Sequence, residues 1–252
     1  MRPDHPHPGL IPGLRRLWKE AFGDTDAYLD GFFRLAYSPE NCLCTAQGDD
    51  VGAALYWLDM TCRGERIAYI YAVATAKSHR FQGLCRNLME KTHGILAQRG
   101  YAAAVLVPEN EDLTRMYGKL GYAPCCGISK MTFSAAGEPV SLRRIGPAEY
   151  NALRNSLLPA GGAELGEKAL AFLAVHAEFF AGDDFVLAAV EDKGVLHGLE
   201  YLGDTAKLPG IATALSCREG TARTPGNEKP FAMYCPLREN APKPSHFGFA
   251  FD

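Results

Sequence analysis

The sequence predicts an α/β protein built on a mixed β-sheet, and two observations support that fold class. In residues 1–134 the hydrophobic patterns run as two helices, three strands, and then helices and strands in alternation. Hairpin strands followed by crossover helices give a sheet with antiparallel and parallel pairs. After the linker SAAGEPV a shorter round of similar patterns follows. We therefore predict two domains, residues 1–134 and a smaller one at 135–252.

Composition argues against several classes of function. The 252 residues are 47% hydrophobic and carry 26 Lys and Arg against 29 Asp and Glu, with a pI near 6.2. Nucleic-acid binding normally needs a basic excess, so no nucleic-acid partner is expected. The start MRPDHPHPGLIPG has no apolar leader, and no apolar run is long enough to cross a bilayer. We expect a cytoplasmic protein with no membrane partner.

The eight cysteines lack C-x-x-C spacing, which favours reduced thiols and no metal site.

Each element of the first half has its own signal. Apolar residues three and four apart predict a helix that ends at Gly23, and DAYLDGFFRLAY predicts a second. NCLCTAQGDDVGAALYWLDM indicates two strands joined at Gly48-Asp49-Asp50, and RIAYIYAVAT is a strand rich in β-formers. A helix to about Gln98, a strand AAAVLV, a helix from Leu113 to Leu120 and a strand ISKMTFSA complete this half.

The second half is predicted from the same kinds of signal. Its predicted elements are the strand SLRRI, helices near 148–158 and 167–180, strands FVLAAVE and VLHGLEYL, a helix near 205–216, and strands FAMYCPL and HFGFAFD. The order resembles a shortened first half without a residue-level repeat, so a duplication is inferred from topology alone.

The most informative segment is the helix start in AKSHRFQGLCRNLMEK. An ordinary amphipathic helix begins with a capping side chain and acidic residues, whereas this one begins with Gly83 between Arg80 and Arg86. Helix N–H groups favour anions, glycine lets a phosphate approach the backbone, and arginines add charge. A pyrophosphate fits this segment, and a solvated helix start is the open alternative. Neither G-x-G-x-x-G nor G-x-x-x-x-G-K-[ST] occurs.

Two segments, in order, resemble the GNAT superfamily of acetyl-CoA-dependent N-acetyltransferases. AYIYAVATAKSHRFQGLCRNLMEK is similar to the family's strand, phosphate loop [RQ]-x-x-G-x-[GA] and helix. PENEDLTRMYGKLGY is similar to a later segment with an asparagine, a helical tyrosine and a Gly-aromatic end. The resemblance covers roughly residues 10–134, including LWKEAFGD. Cys85 departs from it, because the family has Gly or Ala there, and we expect less room for the phosphate.

The resemblance implies a GNAT fold with a binding site for acetyl-CoA as co-substrate. Backbone groups of Val73, Ala74 and Thr75 would pair with the pantetheine arm and face the thioester carbonyl. Asn110 would contact the pantetheine amide. The pyrophosphate would be held by the loop residues Arg80, Phe81, Gln82, Gly83, Leu84, Cys85 and Arg86.

The resemblance also assigns the general acid. Tyr117 stands where the family places the hydroxyl that protonates the departing thiolate, and a phenol with a pKa of about 10 suits that role. Considered alone, Tyr117 would be interpreted as a packed aromatic on a helix face. Many family members carry a glutamate base on the strand before the loop, but this strand offers Tyr69 and Tyr71 and no carboxylate near its end. A water relay and an amine that is already neutral both stay open.

Other residues near the predicted site have two interpretations. Asp59 could act as the base, although a solvated charge at a strand end is the favoured interpretation. A group of aromatic residues could line a substrate cleft, but packing in the hydrophobic core is the favoured interpretation. The group consists of Tyr56, Trp57, Phe32 and Phe33.

The second half has no cofactor loop, because GDTAKLPGIATALS contains Pro209-Gly210 without an arginine-glycine pattern. We interpret it as a degenerate GNAT-like domain that shapes the acceptor pocket or a homodimer. The phrases RFQGLCR and MYGKLGY are distantly similar to the enhanced-intracellular-survival group. In that group the terminal carboxylate reaches the active site, so Asp252 is a candidate base, and an ordinary final strand is the favoured alternative.

Three functions from different classes remain open at this point. The leading one is an acyltransferase that moves an acetyl group from acetyl-CoA to a primary amine of a small molecule or an exposed amino group. The second is a transferase with another acyl or aminoacyl donor on the same tandem fold. The third is a non-catalytic acetyl-CoA sensor, with which the missing carboxylate and Cys85 are compatible.

Overall fold

The computed structural model describes residues 2–251. Asp252, the candidate terminal base, lies outside the described residues. The first half contains the predicted elements in the predicted order: α1 (Ile11–Phe22), α2 (Asp26–Leu35), β1 (Cys42–Gln47), β2 (Asp50–Cys62), β3 (Glu65–Thr75), α3 (Leu84–Gln98), β4 (Ala103–Leu106), α4 (Glu111–Gly118) and β5 (Ala123–Ser134). The mixed α/β class is therefore confirmed.

The second half follows the prediction less closely. Its elements are β6 (Arg143–Ile145), α5 (Pro147–Leu157), β7 (Glu164–Leu165), α6 (Glu167–His176), β8 (Glu178–Ala181), β9 (Val186–Asp192), β10 (Val195–Leu202), α7 (Leu208–Ala214), β11 (Glu219–Gly226) and β12 (Lys229–Pro236). The predicted helix 167–180 is too long, because its end forms β8, where Phe179 pairs with Ala188 of β9. Cross-strand pairing overrides the helical pattern there.

Two further differences occur near the C-terminus. Strand β11, which contains Pro225, is absent from the sequence prediction. The proline lies past the stretch that pairs with β10, so its missing N–H removes no bond on that side. The predicted final strand HFGFAFD is wrong for residues 246–251, which belong to no strand or helix. Phe247 and Phe249 are buried instead, so side-chain packing holds this segment.

The chain divides into two compact units that do not follow a single cut in the sequence. The first contains the residues up to Ala123, Gly166–Phe172 and Met233–Lys243. The second contains Pro124–Leu165, Leu173–Ala232 and the residues from Pro244 onward. The division into domains at residue 134 and the roles assigned to them stay predictions.

The first unit has the strand order β1-β2-β3-β4, and the end of β12 pairs antiparallel with β4. Helix α3 covers one face of this sheet through Leu88, Met89 and Leu96, which are fully buried. The second unit has the order β5-β11-β10-β9-β8-β6. Its core includes Leu208 and Ile211 of α7. Within residues 2–251, no helix is both long enough and apolar enough to cross a membrane.

Candidate active site

Strand β3 is interrupted by a β-bulge close to its end. Its partner β2 pairs Ala54 with Ala74 and Tyr56 with Tyr71, so β3 contains one extra residue in this stretch. The extra residue falls at Ala72, which has a φ of 48°, unusual for a residue with a side chain. A bulge bends the strand and re-aims its backbone groups. The bulge thus separates the regular part of β3 from Val73–Thr75.

The strands β3 and β4 separate before the bulge is reached. Their parallel pairing covers only Ile67, Ala68 and Tyr69, and β4 ends at Leu106. Beyond Tyr69, no strand among the described residues pairs with the β4-facing edge of β3. An unpaired edge presents backbone donors and acceptors to an extended ligand. The structure places Val73, Ala74 and Thr75 on this splayed end.

The chain then enters the loop and the start of α3. Gly83 is the N-cap residue of α3, has a φ of 76°, and provides no side-chain cap. A Cβ built at Gly83 would meet nothing within 4 Å, so open space lies beside the helix start. Phe81 also has a positive φ, 64°. Left-handed residues in such a turn direct successive N–H groups to one side, which suits an anion.

The side chains of the loop leave that space accessible. Phe81 is fully exposed, and both Arg80 and Arg86 are exposed. Arg86 pairs weakly with Glu90 one turn along the helix, at 3.9 Å. Gln82 donates a long hydrogen bond of 3.4 Å to the carbonyl of Ser78. The charged groups near the helix start are therefore free to reorient towards a bound phosphate.

Leu84 and Cys85 point their side chains away from the loop. Leu84 is buried in the core of the first unit, and Cys85 packs against the same core. Burial raises the pKa of the Cys85 thiol, which keeps it protonated and unreactive. Both residues can offer a ligand only backbone N–H groups. The Cys85 side chain therefore takes less space from a bound phosphate than the size of cysteine alone predicts.

The resemblance implies that Asn110 lies at the end of a strand, but the structure places it at the start of a helix. Strand β4 ends at Leu106, and Asn110 is the N-cap of α4, where its Oδ1 accepts a hydrogen bond of 3.0 Å from the Leu113 N–H. Its Nδ2 group takes no part in the cap. The sequence carried the signal, because Asn followed by Glu111 and Asp112 is typical of a helix start.

Tyr117 is buried on α4. Its ring lies edge-on to that of Tyr122, with centroids 5.8 Å apart. Burial, and then the nearby Cys85 thiol, raise the pKa of Tyr117 well above its usual value. The Tyr122 hydroxyl lies 2.9 Å from Nε2 of His93, while within residues 2–251 the Tyr117 hydroxyl has no such partner. Tyr117 is thus a protonated phenol with a free hydroxyl.

Asp59 is occupied elsewhere. It pairs with Ala68, several residues before the bulge. Its carboxylate accepts a hydrogen bond from Tyr101 and lies 3.4 Å from Arg66. These partners make Asp59 a structural residue of β2, opposite the first half of β3, rather than a base beside the bulge.

The predicted aromatic group mostly forms core. Phe32 and Tyr56 pack against Trp18, with centroids 4.6 and 5.1 Å away, and Trp57 is buried in the core under α3.

Sequence reasoning missed a contact at the edge of this group. The hydroxyls of Tyr28 on α2 and Tyr71 on β3 lie 2.6 Å apart. No local sequence pattern could have paired residues so far apart in the chain.

Comparisons with known proteins agree with this geometry. Residues 6–125 match the family model described as an acetyltransferase (GNAT) domain. A GCN5-related N-acetyltransferase from Kribbella flavida superposes with a TM-score of 0.72 and 19% identity, over 94% of this chain and 72% of that chain. Eis1 from Mycobacterium abscessus gives 0.65 and 10% identity, over 94% and 74%. A GCN5-related N-acetyltransferase from Sphaerobacter thermophilus gives 0.58 and 11% identity, over 98% of each chain. No curated protein matches the sequence.

A sheet with a bulged, splayed strand that leads into an uncapped helix start agrees with the GNAT fold of these structures, and the family model adds the acyltransferase class. Residues 6–125 belong to the GNAT acetyltransferase family, so the resemblance seen in the sequence is confirmed. The solved structures, at these identities, show the fold alone.

Proposed function

We propose that the protein is an N-acetyltransferase that moves the acetyl group of acetyl-CoA to a primary amine of a small molecule or an exposed amino group. One observation supports this most strongly. The splayed end of β3 leads, through one short loop, to a helix start with no side-chain cap and with open space at Gly83. An extended amide-bearing chain that ends in a pyrophosphate matches both parts.

Each part of this surface has a role in the proposal. The backbone of Val73–Thr75 would pair with the pantetheine arm as an added strand. The N–H groups from Phe81 to Arg86 would hold the pyrophosphate, with Arg80 and Arg86 adding charge. Nδ2 of Asn110, which the helix cap leaves unused, would donate to a pantetheine carbonyl.

Acetyl-CoA supplies an activated thioester. As the amine attacks, charge develops on the carbonyl oxygen, and a fixed backbone N–H beside the bulge stabilises it. Tyr117 would then donate its proton to the leaving sulfur. Its raised pKa supports this role, since the phenol stays protonated at any pH where the amine reacts. In this proposal, residues 135–252 supply no second donor site.

Two measurements test the proposal. Calorimetry with acetyl-CoA and with coenzyme A should show binding of both, because the loop and strand contact the shared part. A thiol-release assay should then show acetyl transfer to at least one amine from a panel of monoamines, amino acids, polyamines, aminoglycosides and peptides. Absence of coenzyme A binding would favour another donor, and binding without turnover on the whole panel would favour a sensor.

A further inference from the structure

Phe81 lies in the loop before α3 with its whole side chain in solvent. Its exposed fraction is 105%, whereas Val175 and Phe22, the other exposed large hydrophobic residues of the described chain, reach 47% and 46%. A phenyl ring in water gives up the stabilisation that burial of an aromatic side chain provides. Packing inside the described part of the chain therefore does not account for a phenylalanine at this position.

The backbone of Phe81 is also unfavourable for a large side chain. Its φ of 64° lies in the left-handed region, where a bulky residue is rare and glycine fits without strain. The loop thus holds an aromatic ring in solvent on a backbone that suits glycine better. Backbone outliers of this kind often occur at ligand-binding sites, so a contact with a ligand is a physical reason for this residue.

Phe81 is close to the proposed position of the pyrophosphate. It precedes Gly83, the N-cap of α3, by two residues, so their Cα atoms are at most about 7 Å apart. In the proposed site the pantetheine arm extends from one phosphate to the end of β3. The adenosine is joined to the other phosphate, so it leaves the pyrophosphate away from β3 and over the exposed loop. Phe81 is the aromatic residue of that loop.

The charges beside Phe81 suit the same part of the ligand. Arg80 and Arg86 are exposed, and they lie on either side of Phe81 in the chain. Phosphate groups that flank an adenine are attracted to such guanidinium groups. An exposed aromatic ring between two arginines matches a nucleotide, which combines a flat apolar base with phosphates.

We propose that the ring of Phe81 stacks on the adenine of acetyl-CoA, and that this contact makes the site selective for free coenzyme A thioesters over donors that carry phosphopantetheine alone. This inference rests on the proposed acetyl-CoA site. Every base has a π face, so an exposed aromatic ring binds it without a dedicated pocket. Phe81 has no polar side-chain atom, so it contributes to donor binding and takes no part in acetyl transfer.

The first test compares parts of the donor. Calorimetry with coenzyme A, dephospho-coenzyme A and phosphopantetheine separates the adenosine from the rest of the molecule. The wild-type chain should bind the two adenine-bearing ligands at least about tenfold more tightly than phosphopantetheine. Equal affinity for all three ligands would show that the adenosine is not held, and would overturn the proposal.

The second test isolates the ring, because phosphopantetheine also lacks one phosphate. Phe81→Ala should weaken binding of coenzyme A and dephospho-coenzyme A about tenfold and leave phosphopantetheine binding unchanged. The KM of acetyl-CoA should rise similarly, with kcat at saturating donor unchanged. Phe81→Trp should bind coenzyme A at least as tightly as the wild type, since a larger ring also stacks. Equal losses for all three ligands in Phe81→Ala would contradict a contact with adenine.

Nuclear Overhauser effects give a direct readout of the contact. Effects between the ring protons of bound adenine and aromatic protons of the protein should occur in the wild type and disappear in Phe81→Ala. Their persistence in Phe81→Ala would place the adenine on another aromatic residue.

Phe81→Gly separates ligand binding from folding. Glycine adopts a φ of 64° without strain, so Tm should not fall, whereas coenzyme A affinity should fall as it does in Phe81→Ala. A lower Tm with unchanged affinity would show that Phe81 has a structural role instead. A change of oligomeric state in Phe81→Ala, again with unchanged affinity, would assign the ring to a contact between copies of the chain.

Phe22→Ala is the matched control. Phe22 is a second exposed phenylalanine, at the end of α1, with its ring 5.9 Å from that of Trp18. Its removal should leave the affinities for all three ligands unchanged. If Phe81→Ala binds coenzyme A like the wild type while Gly83→Val does not, the inference fails and the proposed donor site stands. If none of the three ligands binds the wild-type chain, the proposed function fails instead.

Discussion

Arg154 of α5 and Glu200 of β10 form an ion pair that is 1% exposed on both sides. Nε and Nη2 of the arginine contact the two carboxylate oxygens at 2.6 and 3.0 Å. Glu200 also lies 3.0 Å from Nε2 of His246 and accepts a hydrogen bond of 3.1 Å from Tyr150. The energetic cost of burying these charges is offset only while every hydrogen-bond partner is in place.

This network holds the C-terminal segment of the second unit. The Arg154 guanidinium lies 5.5 Å from the ring of Phe249. Gly248 allows Glu200 to come close, because a Cβ at that position would overlap its carboxylate. The Ala163 N–H donates to the His246 carbonyl at 2.8 Å. The segment is therefore ordered by one charged cluster and two buried rings, without a strand ladder.

Glu200→Gln should destabilise the second unit strongly. The substitution leaves the Arg154 charge buried without a counter-charge, at an expected cost of about 3–5 kcal/mol. Urea unfolding, followed by fluorescence and circular dichroism, measures the loss. Glu149→Gln is the control, since the Arg143–Glu149 pair is exposed and should contribute little. Equal effects of the two variants would show that burial of the Arg154–Glu200 pair is unimportant.

The same pair predicts a loss of stability in acid. Burial alone would raise the pKa of Glu200, but the charge of Arg154 and hydrogen bonds from His246 and Arg154 outweigh it and lower the pKa to about 2, from 4.5. A group whose pKa is lower in the folded state stabilises above its unfolded pKa. Its contribution should disappear as pH falls from 4.5 towards 2. Tm measured over this range should fall less in Glu200→Gln than in the wild type, and parallel curves would contradict the assignment.

The sequence predicted the first half well because its signals are local. The helix stop at Gly23, the hairpin near Gly48 and the glycine at position 83 each act within a few residues, and each lies where predicted. The uncapped helix start could also be read directly, because it depends on the absence of a nearby capping residue.

The other features depend on contacts between distant residues. The bulge at Ala72 is visible only in the register of β2 against β3, and the Tyr28–Tyr71 contact needs both helix and strand in place. Asp59 has a half-exposed side chain, but its contact with Tyr101 joins residues far apart in the chain. The final segment alternates large and small residues like a strand, but buried side chains hold it.

Gly83→Val should abolish most of the acetyl-CoA affinity. The substitution puts a branched side chain into the open space beside the helix start and forces a β-branched residue to a φ of 76°. Affinity should fall more than tenfold, or about 1.4 kcal/mol, by calorimetry.

Gly100→Val is the matched control for Gly83→Val. Gly100 follows the other end of α3, has a φ of 78°, and also has nothing within 4 Å of a built Cβ. Gly100→Val should lower Tm as much as Gly83→Val does, because the backbone strain is the same. It should not change the affinity for acetyl-CoA. If both variants bind like the wild type, the donor site lies elsewhere.

Tyr117→Phe should lower kcat by about 100-fold or more while acetyl-CoA affinity stays constant. The variant removes a hydroxyl that has no partner within residues 2–251 and should leave the packing against Tyr122 intact. Tyr122→Phe is the control, because its hydroxyl contacts His93 and its loss should affect Tm more than kcat. Thiol-release kinetics compare the two variants. Full activity in Tyr117→Phe would exclude Tyr117 as the general acid.

Each chain should bind one acetyl-CoA. The counterpart of the loop in the second unit is the start of α7, a helix of 7 residues with Pro209 in its first turn. A Cβ at Gly210 would lie 2.7 Å from Val140 and 2.9 Å from the carbonyl of Glu138, so this helix start is covered by its own linker. At Gly83, the N-cap of α3, the space beside the helix start is open.

A helix start filled by protein cannot take a pyrophosphate, whatever the rest of the unit resembles. Calorimetric titration should therefore give one site per chain, and Gly83→Val should weaken that site more than tenfold. Gly210→Val should reduce Tm, since the valine would overlap the linker, and should leave the stoichiometry at one. A titration with two equal sites in the wild type, one of which keeps its full affinity in Gly83→Val, would show that the second unit also holds a donor.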